Sequence, residues 1–342
     1  MEIGIYSFAD ITPDWRTERT ISVEQRFAEI AAAAKLADEV GIDVFGIGEH
    51  HRLDIAISAT PVVLAAIAAT TKRIRLTSAV TILSTADPVK VFEDFATVDV
   101  LSGGRAEVIA GRGVFVESFP LFGFDLADYD ALFTEKLDLL LKLNAGPRVT
   151  WEGRFRTRLA DAEISPRPVQ AELPVWVGIG GNPESAKMAA ERGLPLALAN
   201  ITRPPAEFRD LIAGYRQAGA VAGYDATTLK VSLASHLHVA EESQAARDDF
   251  YPYYSNYFRL HAPKVNYARE VPRDEYDRRA APGGPLFVGS PQEIIDKLML
   301  GHEIFGHQRF LAHMDIGGQP FAMVAKAIEL LGTKVLPALK AI

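Results

Sequence analysis

Glu49, His50 and His51 stand side by side in DVFGIGEHHRL, Asp43 to Leu53, at the point where a run of strand-forming residues ends. Imidazole titrates near neutrality, so a histidine placed there can exchange protons with a substrate or ligate a metal. Neighbours on an extended chain face opposite ways, so one of the two histidines, not both, turns to any given site. His236 and His238 in SHLHVA share one face of another strand, and His313 lies near the end of a third. His50, His236, His238 and His313 together are donors enough for Zn²⁺, which leaves a metal-dependent barrel hydrolase open as a reading. The plain alternative is a set of packed, hydrogen-bonded structural histidines.

A second group of residues suits an anion. In PVWVGIGGNPESAKMAAERG, Pro174 to Gly193, an apolar run reaches Gly178, Gly180 and Gly181, and a helix starts directly behind Asn182-Pro183. Small residues let backbone N–H groups approach a ligand, and the helix N-terminus adds about half a positive charge, so a phosphate is favoured there. The spacing matches neither a Walker loop nor GxGxxG, and an ordinary tight turn capped by Asn182 is the competing view. Arg112, between two glycines in GRGVFVESF, can reach the same anion, since guanidinium pairs well with phosphate oxygens; Glu117 is its alternative partner. The small and hydroxyl residues Ser78, Ala79 and Thr81 of LTSAVTILSTADP suit the wall beside a flat cofactor ring, or simply a crowded barrel interior.

The elements that must carry these groups alternate. Short Val/Ile/Leu-rich segments are each followed by a segment of helical length, the pattern of βα units around a parallel sheet. Eight strands are expected: Ile3 to Phe8, Val44 to Gly48, Ile74 to Leu83, Ala106 to Gly111, Pro174 to Gly178, Pro195 to Asn200, Lys230 to Val239 and Arg309 to Asp315. Val23 to Val40 reads as a helix keeping Phe27, Ile30, Ala31, Ala34 and Leu36 to one side, stopped by Gly41. Thr60-Pro61, Asp87-Pro88 and Asn182-Pro183 each read as an N-cap followed by an N1 proline. Gly146 to Leu173 reads as a hairpin excursion, and Tyr251 to Pro285, crowded with aromatics, charges and prolines, as a lid. The first strand lacks a glycine-rich dinucleotide turn after it, so an α/β (β/α)8 TIM barrel is expected over an open doubly wound sheet, as one domain spanning residues 1–342. Its active site would then lie at the C-terminal ends of the strands.

Bulk properties narrow the partners. The chain has 342 residues, 48% of them hydrophobic, and its net charge of -8 comes without a basic stripe, which disfavours nucleic acid. With no cysteine there is no disulfide, thiolate nucleophile or Cys-based metal site, so redox chemistry needs a bound cofactor. Met1 to Phe8 reads as an immediate strand and no apolar run reaches membrane-spanning length, so no membrane association and a cytoplasmic location are expected.

The stretches GIGEHH, AVTILSTADPVKVFEDFATVDVLSGGRAEVIAGRG, ESFPLFGFD, PVWVGIGGNPESAKMAAERGLP and FVGSPQEIIDKL, in this order and spacing, resemble the bacterial luciferase-like flavin-dependent monooxygenases over nearly the whole chain. Within that family the chain is more similar to the general FMN-using oxidoreductases than to the light-emitting enzymes. The resemblance implies that reduced FMN, or in one branch deazaflavin F420, binds at the barrel mouth. It assigns catalysis to His50, which would hydrogen-bond and pass protons as the reduced flavin reacts with O₂, with Glu49 and His51 supporting it. It assigns the phosphate to Arg112, Gly180, Gly181, Asn182 and Ser185, and implies a cis peptide between Ala79 and Val80 beneath the flavin ring. Gly111 replaces the reactive cysteine of luciferase and Tyr251 to Pro285 matches its mobile loop only loosely, which argues against light emission. A small organic substrate would rest on Phe8, Phe115 and the lid. No nicotinamide-binding motif is visible, so a separate flavin reductase is implied, and a homodimer packed through barrel helices is expected from the relatives. A flavin-binding protein without catalysis remains a further alternative.

Overall fold

The computed structural model describes residues 1–261 and 271–340. The strands are β1 (Glu2–Ser7), β2 (Val44–Ile47), β3 (Arg75–Ser78), β4 (Thr81–Ile82), β5 (Ala106–Gly111), β6 (Arg148–Trp151), β7 (Leu159–Glu163), β8 (Val175–Ile179), β9 (Leu196–Ala199), β10 (Val231–Val239), β11 (Phe287–Gly289) and β12 (Arg309–His313). The main helices are α1 (Val23–Val40), α2 (Thr60–Thr70), α3 (Pro88–Ser102), α4 (Ser118–Phe122), α5 (Tyr129–Ala145), α6 (Pro183–Glu191), α7 (Arg209–Val221), α8 (Ser243–His261), α9 (Arg273–Ala280), α10 (Pro291–Phe305) and α11 (Phe321–Leu330).

Parallel pairing runs β1, β2, β3, β5, β8, β9, β10, β12 and back to β1, closing an eight-stranded barrel ringed by helices. The expected (β/α)8 TIM barrel is therefore the fold. β6 and β7 pair antiparallel, giving the anticipated hairpin between α5 and β8. Tyr6, Val44, Ile109, Trp176, Ala197 and Leu311 fill the barrel interior, and a far larger layer of Val, Ile, Leu and Phe joins the barrel to its helices. Each such side chain fully removed from water contributes about 1.5–3 kcal/mol. A satellite core of Phe250, Tyr254, Tyr276 and Leu286 fixes α8 and α9 beside β11.

Several expectations need correction. The run Ile74 to Leu83 is two short strands, β3 and β4, with the cis Ala79–Val80 peptide between them. Thr60 is the first helical residue and its hydroxyl donates to the Gly48 carbonyl at 2.9 Å, so it does not cap α2. By contrast, Asp87 and Asn182 do cap α3 and α6, accepting from Val89 and Lys90 and from Glu184 and Ser185. In α1 the buried stripe is Arg26, Ile30, Ala33, Ala34 and Ala37, leaving Phe27 and Ala31 exposed, since Arg26 turns inward to Asp315 at 2.7 Å. Of the expected lid, Tyr251 to His261 belongs to α8 and Arg273 to Ala280 forms α9; residues 262–270 of it lie outside the described residues. Three-residue β11, which pairs with β10, was not anticipated. Among the described residues no helix is long and apolar enough to cross a membrane.

At the N-terminal end of the barrel Glu107, 1% exposed, accepts from Arg309 on β12 and from Arg75 on β3 at 3.2 Å, while Arg309 also reaches Glu2 at 2.8 Å. Burial alone would push the Glu107 carboxyl up, but the two guanidinium groups hold it below its ordinary value. Its share of stability is therefore present above the usual carboxylate range and is lost as pH falls through that depressed value. Arg309→Met strands this carboxylate with Arg75 alone; urea unfolding at pH 7 should show a loss of about 3–5 kcal/mol, and a loss below 1 would refute the account.

Candidate active site

A cavity of about 510 Å³ opens among the strand C-termini and is walled by β1, β4, β5, β8, β9, β10, β12, the Glu49–His50 exit from β2, the Ala79–Val80 segment and α8. Of the residues singled out from sequence, Phe8, His50, Ala79, Val80, Arg112, Phe115, Gly178, Gly180, Asn182 and Ser185 all line it. Ser78 and Gly181 do not. The Ser78 hydroxyl is fully buried in the barrel wall, donating to the Ile109 carbonyl and accepting from the Ile109 N–H, each at 3.1 Å. Gly181 has φ +107° and makes the sharp turn after β8, where a side chain would run into Phe208.

His50 leaves the end of β2 as a buried ring held edge-on by Phe8 and by Phe115, each 5.0 Å away. Its Nδ1 faces Glu117 Oε1 at 3.4 Å. Glu117, the alternative partner for Arg112, pairs instead with His50. Burial raises the Glu117 carboxyl, but the His50 hydrogen bond and the charge of Arg52 outweigh it and the group stays below its ordinary value, a ready acceptor for an Nδ1 proton. Glu49 points the other way. Its Oε1 meets His51 Nε2 at 3.0 Å and its Oε2 accepts from the Ile82 N–H at 3.0 Å, tying the end of β2 to the chain just past the cis peptide.

On the far side Arg112, at the end of β5, donates from Nη1 to Ser185 Oγ at 3.1 Å and lies over the Phe133 ring at 4.3 Å. Its Nε is 2.9 Å from Asp130, whose side chain is 83% exposed. Gly180 leaves open space, with nothing within 4 Å of where a Cβ would stand. A second guanidinium, Arg203, lines the same end, stacked over Phe208 at 4.5 Å and paired with Glu207. The sequence reading missed it because RPPAEF carries no motif, only a position just past β9. Two guanidinium groups, a hydroxyl, an open glycine turn and a helix N-terminus form a donor set that fits a phosphate. Between the two ends, Ala79, Val80, Ile109 and Ala197 give a largely apolar wall suited to a flat ring.

Residues 1–308 match the model of the family described as luciferase-like monooxygenase. The chain belongs to this family. The monooxygenase RslO1 from Streptomyces bottropensis superimposes with a TM-score of 0.87 at 26% identity, over 99% of this chain and all of that one. The oxygenase component of a flavin-dependent trigonelline monooxygenase from Acinetobacter baylyi is 22% identical over 99% of this chain and 95% of its own. An F420-dependent secondary alcohol dehydrogenase shares the fold, with a TM-score of 0.72 at 17% identity over 98% of each chain. By family this chain is thus a luciferase-like monooxygenase.

The monooxygenase does not gather its histidines as the metal reading required. His238 stacks on Phe250 at 5.1 Å away from the cavity, whereas His236 and His313 line it. Among the described residues no three of His, Cys, Asp or Glu approach closely enough to hold a metal ion. Burial drives His236 down to about 3 and His238 to about 4, and His313 well below its ordinary value. Groups with depressed values in the folded state take up protons on unfolding, so stability is full above pH 6.5 and falls as pH drops toward 4. Each imidazole should contribute roughly 1.4 kcal/mol per pH unit in that window. Urea melts at pH 7 and 5.5 should differ by several kcal/mol; equal midpoints would show that these rings are solvated.

Proposed function

We propose that this monooxygenase is an oxygenating component that takes reduced FMN from a separate reductase, together with O₂, and inserts one oxygen atom into a small organic substrate while the other leaves as water. The observation that carries the reading is the meeting, in one cavity, of the Arg112–Ser185–Gly180 anion cradle and a buried His50 oriented by Glu117. When bound, the reduced flavin supplies the two electrons that activate O₂. The residues supply the rest. Arg112 and Ser185, with Arg203 beside them, hold the phosphate; Ala79 and Val80 support the ring; Phe8 and Phe115 close the space around His50 and exclude water. With Nδ1 turned to Glu117, His50 has Nε2 left to donate or accept a proton where oxygen transfer occurs.

A homodimer, a cytoplasmic location and a single domain spanning residues 1–342 belong to the same proposal; equilibrium sedimentation at micromolar concentration would refute the first if it shows only monomer. F420 competes for the same cradle because it too carries phosphate. A flavin is favoured by the relative named as flavin-dependent, the trigonelline monooxygenase component, which matches over 99% of this chain.

Trp176, buried against Ile109, Ala197 and Leu311 of the cavity wall, makes fluorescence quenching a readout of binding. FMN should bind more tightly than F420. Arg112→Ala should weaken FMN by about 10- to 100-fold, the worth of a charged hydrogen bond, and leave riboflavin, which has no phosphate, unchanged. Equal losses for both ligands would place the phosphate elsewhere. His50→Ala should reduce substrate oxidation by about 10²-fold or more at nearly unchanged FMN affinity. Full activity in that variant would reduce the ring to a packing role.

A further inference from the structure

The side of the cavity formed by β10, β12 and α8 carries polar groups to which the cofactor reading above gives no role. His236 and His313 are register partners on β10 and β12, stacked at 5.2 Å with an interplanar angle of 27°. They are 1% and 0% exposed, both line the cavity, and among the described residues neither ring has a hydrogen-bond partner at Nδ1 or Nε2. The nearest candidate, Asp315 Oδ1, stands 3.6 Å from His313 Nε2, beyond hydrogen-bonding distance. Oδ2 of that carboxylate accepts from Arg26 at 2.7 Å and from Ser7 at 2.5 Å, while its Oδ1, like the two rings, has no hydrogen-bond partner among the described residues. Burying polar nitrogens without partners costs stability, and an apolar side chain at either position would avoid the cost. A ligand that completes these groups explains why imidazoles stand here.

The surroundings describe that ligand. Phe8 packs edge-on against His313 at 4.7 Å and against His50 at 5.0 Å, so a single ring spans the distance from the pair to the catalytic histidine. Tyr257 and Phe258 from α8 add aromatic wall beside His236, at 5.3 and 6.0 Å. A planar ring offers each of these faces or edges a favourable partner. We propose that His236 and His313 anchor a neutral hydroxyl or carbonyl group of an aromatic substrate whose ring lies among Phe8, Tyr257 and Phe258. This rests on the monooxygenase reading above and adds the substrate class to it. Burial keeps both imidazoles uncharged, so each offers one donor and one acceptor, which a hydroxyl matches and a carboxylate does not. Asp10 and Asp315, on the neighbouring side, repel an anion further, and Arg26 is committed to them.

The test uses 2-naphthol, its near-isostere 2-methylnaphthalene and 2-naphthoate as probes, titrated calorimetrically into the FMN-loaded protein. An apolar pocket prefers the methyl compound, so the sign of the preference decides. The expected result is 2-naphthol about tenfold tighter than 2-methylnaphthalene and far tighter than 2-naphthoate. In His236→Leu and His313→Leu that preference should vanish or reverse at unchanged FMN affinity. Preference for the methyl compound or for naphthoate, no binding of any probe at 1 mM, or a preference intact in both variants would each overturn the proposal. The wild-type comparison decides even where a variant fails to fold. A chain that does not bind FMN refutes the cofactor reading separately, and the same probes then report on the FMN-free protein.

Discussion

The Ala79–Val80 segment stands where one added methyl group on any of several surrounding glycines would have to stand. A Cβ at Gly111 would come 2.5 Å from Val80 Cγ2, one at Gly178 2.8 Å from Val80 Cγ1, and one at Gly46 3.2 Å from Ala79 Cβ. Gly48 in the same way clears the ring of Phe8. β2, β5 and β8 thus give up side chains so that residues 79 and 80 can project between them, and overpacking at such points costs about 1–3 kcal/mol. From this constraint the cavity follows. The apolar wall is Val80 itself, and the paired strands β5 and β8 that it packs against end in Arg112 and in the Gly180 turn.

Around this wall the polar groups are sorted by charge. Guanidinium groups collect where β5, β8 and β9 end, with Arg112 and Arg203 lining the cavity there, and the buried imidazoles collect where β10 and β12 run. β12 is the fourth strand from β5 in either direction around the closed sheet, so Arg112 and His313 stand on opposite sides of the mouth, while Arg203 follows β9, the neighbour of β10. His50 lies between them on β2's exit, and its carboxylate partner Glu117 comes from the start of α4, outside the barrel. Charge at one end and uncharged donors at the other let a single cavity hold an anion and an uncharged organic ring without forcing either into the other's place.

The sequence showed the barrel because its strands are short, apolar and separated by helix-length segments, and because Asp87-Pro88 and Asn182-Pro183 mark helix starts by the hydrogen bonds their side chains then make. It showed much of the cavity for a related reason: residues at strand C-termini face the mouth whatever their chemistry, which is how Arg112, Gly180 and His50 came to be placed. Other features depend on contacts between distant segments. Thr71, Ser78 and Thr60 are all hydroxyl residues near strand or helix ends, and only the fold decides that Ser78 bonds to Ile109 instead of facing a ligand. Glu117 lies five residues past Arg112 but pairs with a histidine 67 positions away. The break at residues 79–80 falls inside a run of good strand formers, so periodicity reads straight through it. Arg203 and Tyr257 reach the cavity from segments whose composition suggests only loop and lid.

The anion end has an internal tension that says which groups must do the binding. Asn182 Oδ1 accepts from the N–H groups of Glu184 and Ser185, so the cap spends donors that a bare helix N-terminus would turn toward a phosphate. What α6 then offers is its dipole and the Ser185 hydroxyl, and the burden of charge shifts to Arg112. Arg112 is paired with Asp130 and Arg203 with Glu207, yet both carboxylates are well exposed, at 83% and 50%, so their pairings are the weak kind that solvent screens. In the proposed site a phosphate dianion would compete with them on favourable terms, because it brings more charge to guanidinium groups already placed over the Phe133 and Phe208 rings. The cradle therefore does not depend on an empty guanidinium waiting for its ligand; it depends on partners that water can take back.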